Sequence, residues 1–96
     1  IIRSMIKSFK HKGIKKFFES GNKSGIQAQH SSKLSLILTA LDAVTFAEEM
    51  NLPTFRLHSL SGSRPDVWSV WVNGNWRITF EFINGDAYIV NYEDYH

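Results

Sequence analysis

The chain ends on Tyr92-Glu93-Asp94-Tyr95-His96, which crowds two tyrosines, two acids and a histidine into five residues. Packing of a last strand accounts for the tyrosines, and Tyr92 is assigned mainly to that role. It gives no reason for Asp94 or for a terminal histidine. A second histidine, His58, stands in the polar stretch Arg56-Leu57-His58-Ser59-Leu60-Ser61-Gly62-Ser63-Arg64-Pro65, and Arg77 stands on the polar side of an alternating run. His58, Arg64, Arg77, Asp94, Tyr95 and His96 together form a sufficient set for cutting RNA. RNA brings its own nucleophile, the 2'-hydroxyl. The protein has only to take that proton, steady the phosphate and protonate the leaving oxygen. Histidine, carboxylate and tyrosine transfer protons. A guanidinium holds phosphate through two parallel hydrogen bonds and stabilises the charge that develops on it. Each residue also has an ordinary reading: strand arginines are mostly solvated or salt-bridged, and lone histidines are mostly surface or core residues.

Other chemistries find no residues. The histidines at 11, 30, 58 and 96 have no metal-ligand spacing, and the chain has no cysteine for a thiolate site, a nucleophile or a disulfide. Glycine-rich phosphate loops and the nucleophile elbow are also missing. No cofactor and no metal are expected. The cysteine count fits a reducing cytoplasm. No apolar run approaches the roughly 20 residues that span a bilayer.

The net charge of +2 hides an uneven distribution. Up to Lys33 eight lysines and arginines face one acid, Glu19, whereas beyond it the acids outnumber Arg56, Arg64 and Arg77. A basic first third points to a polyanion partner, with Lys12, Lys15 and Lys16 as candidate RNA-binding residues. The competing reading is a solvated helix face.

The elements that must position these groups follow from periodicity. A chain of 96 residues makes one domain, expected over 5–96. Met5 reads as the natural start, and Ile1 to Ser4 as an artificial remnant or an upstream extension. Met5 to Phe9 alternates like a short strand. Ile14, Phe17 and Phe18 have helical spacing between Gly13 and Gly21. A second helical pattern runs from Ile26 to about Val44, with Leu34, Ile37, Leu38 and Leu41 in one stripe. Thr45 to Asn51 reads as a further turn of helix, ended by Pro53. Phe55 to Leu57 reads as a short strand with His58 in the loop after it. Alternation then marks strands over Asp66 to Val72, Asn75 to Phe82 and Ala87 to Asn91. Asn73-Gly74 and Asn84-Gly85 are the hairpin turns between them. Trp76, Ile78, Phe80 and Phe82 share the core side; Arg77, Thr79 and Glu81 share the polar side. The expected class is α+β: an N-terminal strand and two helices packed on an antiparallel β-sheet.

The chain resembles the HigB branch of the RelE-like toxins, bacterial plasmid-maintenance killer proteins. The resemblance covers nearly the whole chain from Met5. It is carried by Met5-Ile6-Lys7-Ser8-Phe9-Lys10-His11-Lys12-Gly13, by Leu57-His58-Ser59-Leu60 with Gly62 and Arg64, and by Trp68-Ser69. It continues through Asn75-Trp76-Arg77-Ile78-Thr79-Phe80 and Phe82-Ile83-Asn84-Gly85-Asp86-Ala87-Tyr88, and closes with Asn91 to His96. It implies a microbial-RNase-like fold and metal-free cleavage of mRNA in the ribosomal A site, against 16S rRNA. It also implies a HigA-like helix-turn-helix antitoxin, through which alone the toxin reaches operator DNA, and no membrane partner. Its catalytic positions fall on His58, Asp94, Tyr95 and His96, with Arg77 near the phosphate. One departure stands out. Many members carry a lysine three residues after the histidine that matches His58, and here that residue is Ser61, which supplies no charge. That departure keeps open a non-catalytic RNA- or antitoxin-binding module on the same fold. A gyrase-directed ParE-like toxin is a third reading, but it leaves His58 and the terminal set unexplained.

Overall fold

Residues 5–60 and 66–94 are described in the computed structural model. Ser61, Arg64, Tyr95, His96 and Ile1 to Ser4 lie outside them. The second half of the chain folds on itself at two tight turns. Asn84 and Gly85 take φ of +51° and +84°, the left-handed pair that a two-residue hairpin needs. In the other hairpin Asn73 belongs to the strand and pairs with Trp76, so the turn is Gly74-Asn75, one residue later than expected. Gly74 at φ +55° explains the shift, because a glycine is favoured at the first position of such a turn. The strands are β1 (His58–Ser59), β2 (Val67–Asn73), β3 (Trp76–Ile83) and β4 (Asp86–Asp94). They form one antiparallel meander in the order β1-β2-β3-β4.

Residues directly opposite one another share a face. His58, Ser69 and Thr79 are therefore on one face, as are Trp71, Arg77 and Glu93. Val70, Ile78 and Tyr92 share the other, which the helices cover. The expected division of β2 and β3 into an apolar and a polar side holds.

Helix α1 (Lys12–Ser20) starts on His11, whose Nδ1 accepts the Ile14 N–H at 3.2 Å, and stops at Gly21 with φ +78°. Helix α2 (Ser31–Leu41) buries Leu34, Ile37, Leu38 and Leu41 to 1% exposure or less. Each such side chain contributes about 1.5–3 kcal/mol of transfer energy. This helix is shorter than the pattern from Ile26 to Val44. Ala28–His30 is a 3₁₀ turn instead. At the other end the Asp42 carboxylate turns to the N-terminal segment, accepting the Met5 and Ile6 N–H groups at 2.7 and 3.3 Å. A second 3₁₀ turn, Ala47–Met50, stands where a helical turn was expected.

Two strand expectations change. The N-terminal segment makes two isolated parallel bridges with β4, Ile6 to Ala87 and Phe9 to Val90, rather than a continuous strand. β4 carries an extra residue between them, with Ile89 at φ +54° and its N–H turned to Ser8 Oγ at 2.8 Å. A bulge of this kind breaks the ladder. Phe55 to Leu57 is not a strand, because Thr54 and Arg56 take φ of +71° and +50°. Pairing begins one step later, at His58, although Phe55 O still accepts the Trp71 N–H at 2.6 Å.

Candidate active site

The face of the sheet away from the helices carries an open groove of about 420 Å³, lined by Arg56, His58, Leu60, Ser69 and Arg77. His58 reaches it from β1 rather than from the loop that the periodicity implied. Arg77 reaches it from β3, two strands away, a gap of about 10 Å at ordinary strand spacing. A long arginine side chain and a phosphate together can bridge that gap. His58 is exposed, Arg77 is half-buried and Ser69 is buried between them.

The groove is cationic, and no carboxylate is among the described residues that line it. The Arg56 guanidinium lies 4.3 Å from the centre of the Trp71 ring. Lys33 Nζ lies 4.9 Å from the same ring and donates to Thr54 O at 3.2 Å and Thr54 Oγ1 at 3.0 Å. Burial holds the Lys33 pKa below its usual value, and the charge of Arg56 adds to the effect. Lys12, Lys15 and Lys16 are exposed on α1, outside the groove lining, and Lys15 pairs with Glu19 at 3.4 Å. Among the described residues, Arg56 and Arg77 supply the positive charge that lines the groove, and Lys33 adds a third cation on Trp71.

Beside Arg77 stands Glu93, its direct partner across β3 and β4. The buried Thr79 hydroxyl donates to Glu93 Oε2 at 2.5 Å and holds that carboxylate on the open face. Asp94 is one residue on, opposite Trp76, and so belongs to the row of the helix-covered face. The described residues therefore bring His58 and Arg77 together and put Asp94 on the other row. Tyr95, His96 and Arg64 lie outside them.

What anchors the end of β4 is Tyr92. Its ring stacks on Trp76 with centres 4.4 Å apart and meets His11 and His30 edge-on at 5.3 and 6.0 Å. Its hydroxyl lies 2.5 Å from His30 Nδ1 and also takes a backbone hydrogen bond from Gln27. Burial lowers the His30 pKa and raises that of Tyr92, and the two groups share one hydrogen bond whose direction follows the histidine tautomer. The packing role read for Tyr92 is what the structure shows.

Arg56, Ser69, Trp71 and Glu93 were not singled out from sequence. Trp71 and Glu93 were not within reach of it, since the expected turns would pair Arg77 with Val70 and Tyr92, and register irregularities in β2 and β4 bring Trp71 and Glu93 opposite it instead. Nor was Arg56, because a positive φ breaks the alternation that would have shown which way it points.

Two helices packed on a four-stranded antiparallel meander form the α+β arrangement expected of a RelE-like toxin. A family model described as the RelE-like toxin of type II toxin-antitoxin system HigB matches residues 7–96. Endoribonuclease HigB of Proteus vulgaris is 55% identical over 92 residues, which cover 96% of this chain and 100% of the relative. The chain belongs to the HigB-like family of toxins, and membership of a type II system implies an antitoxin partner. No helix among the described residues is long and apolar enough to cross a membrane.

Proposed function

We propose that this chain is an endoribonuclease that cuts mRNA in the ribosomal A site through attack of the 2'-hydroxyl on the adjacent phosphate. The observation that carries this reading is the shared groove of His58 and Arg77, on the face that no helix covers. The activity named for the Proteus vulgaris relative supports it. The 2'-oxygen bonds to phosphorus, the bond to the 5'-oxygen breaks, and a 2',3'-cyclic phosphate and a 5'-hydroxyl result. One group takes the 2'-proton and another delivers a proton to the leaving oxygen. His58 is one of the two, and the other comes from Tyr95 or His96, since Asp94 stands in the opposite row. Arg77 offsets the charge that builds on the phosphate, and no metal or cofactor takes part.

The openness of the groove favours a substrate presented by a larger body. A shallow site on a small domain cannot itself splay an RNA strand, whereas the ribosome holds its codon in place. Lys12, Lys15, Lys16 and Arg64 would then meet 16S rRNA or flanking mRNA. A HigA-like helix-turn-helix antitoxin would neutralise the protein in the cytoplasm and carry it to operator DNA.

The test is cleavage of mRNA on programmed ribosomes, with 5' ends mapped. His58→Ala is expected to slow cleavage about 100-fold or more, the usual contribution of a proton-transfer group. Its fold should be intact, because His58 is exposed. Wild-type protein that leaves mRNA whole refutes the reading. Ser61 favours one alternative, a module that binds without cutting, and growth arrest without new 5' ends would select it.

A further inference from the structure

Arg56 takes φ +50°, a left-handed region that is unfavourable for a non-glycine residue. Backbone strain of this kind persists only where the surroundings hold it. Two contacts do so here: the Trp71 N–H donating to Phe55 O at 2.6 Å, and Lys33 Nζ bonded to Thr54. The result is a guanidinium laid 4.3 Å over Trp71, whose direct partner across the sheet is Arg77. Two arginines thus flank one indole at the mouth of a groove that also holds His58. Among the described residues, no carboxylate forms an ion pair with Arg56. Glu93 stands beside Arg77, whereas Arg56 and Lys33 bring two further positive charges onto the Trp71 indole.

We propose that Arg56, pinned on Trp71, is a second phosphate-binding residue of the groove and supplies the charge that Ser61 does not. It takes the phosphate next to the one at Arg77 on the same RNA strand. The indole face fixes the guanidinium, so little side-chain freedom is lost on binding, while its N–H edges stay open to phosphate oxygens. This inference rests on the RNA reading of the groove given above.

The probe is a trinucleotide RNA with 2'-O-methyl riboses, which cannot be cut. Binding is followed by the indole N–H resonances in a titration to millimolar probe at several salt concentrations. Arg56→Asn removes the charge but tolerates the left-handed backbone. It is expected to weaken binding about ten- to a hundredfold. The slope of log affinity against log salt should become shallower by about 0.7, the loss of one contact to a single strand. Arg56→Lys should keep the wild-type slope with weaker binding. Should the asparagine variant fold poorly, Arg56→Gly repeats the test, since glycine takes this φ without strain. If wild type binds and neither neutral variant changes affinity or slope, Arg56 has no such role and the reading of His58 and Arg77 stands. If wild type does not bind at millimolar probe, this inference fails, and the reading of His58 and Arg77 is decided separately by cleavage on programmed ribosomes.

Discussion

Changing Tyr92 to phenylalanine removes one oxygen from the middle of the fold. The ring stays, and with it the stack on Trp76 at 4.4 Å and the edge contact to His11 at 5.3 Å. What goes is the hydroxyl 2.5 Å from His30 Nδ1. His30 is 3% exposed and Tyr92 5%, so no water replaces the lost partner without a rearrangement. The Gln27 N–H, on an exposed residue, can turn to solvent and adds little. The cost is therefore that of one buried unsatisfied ring nitrogen, about 1–3 kcal/mol. For a domain of this size each kcal/mol lowers Tm by roughly 4–8 °C. Urea unfolding of both proteins, with unchanged slope, measures the difference. A double variant, His30→Leu with Tyr92→Phe, adds a sharper check. Removing both polar partners should cost less than the sum of the two single changes, because neither leaves an orphan in the other's absence. A Tyr92→Phe protein within about 0.5 kcal/mol of wild type, or strict additivity in the double variant, refutes the account of this contact.

The same cluster sets a pH dependence. Burial holds the His30 and His11 pKa values below the usual 6.5, in His11 against a partial offset from its own backbone. The folded protein keeps both rings neutral while the unfolded chain takes up protons below that value. Stability is thus full above pH 6.5 and falls as the pH drops through the lowered folded values. Urea midpoints at about pH 7.5 and about pH 5 should show the decline, and His30→Leu should reduce it; a flat profile in wild type would count against neutral buried rings. Gly13→Ala is expected to destabilise despite alanine's better helix propensity of about 1 kcal/mol. A Cβ there would lie 2.3 Å from Gly25 O, an overlap of backbone that neither side chain can relieve. Thermal melts should show a loss of about 1–3 kcal/mol, and a Tm at or above wild type would show that the start of α1 and the segment at Gly25 part easily.

The local signals in this sequence were those set by neighbouring residues. The Leu34, Ile37, Leu38 and Leu41 stripe is the buried face of α2, and the alternation of Trp76 to Phe82 is the division of β3 into two faces. Both depend on periods of 3.6 and 2, which the residues express by themselves. His58 and Arg77 were legible as chemistry from residue type, and the family resemblance tied them to one site. Where the signals failed, a distant contact had overruled local preference. Asp42 spends its carboxylate on the N-terminal segment, 36 and 37 residues away. Gly13 and Gly25 touch through bare backbone, a contact that no periodicity records.

The terminal run divides along the same line. Residue types alone named it as a place for proton transfer and assigned Tyr92 to packing. Only the register of β4 against β3 decided that Glu93 stands opposite Arg77 while Asp94 stands opposite Trp76. A shift of one residue would exchange those two acids between faces, and the bulge at Ile89 decides which of them it is. Arg56 carries the lesson furthest. Its charge is visible in the sequence, but its place over Trp71 follows from a left-handed backbone held by Thr54, Lys33 and Phe55, and so from tertiary structure alone.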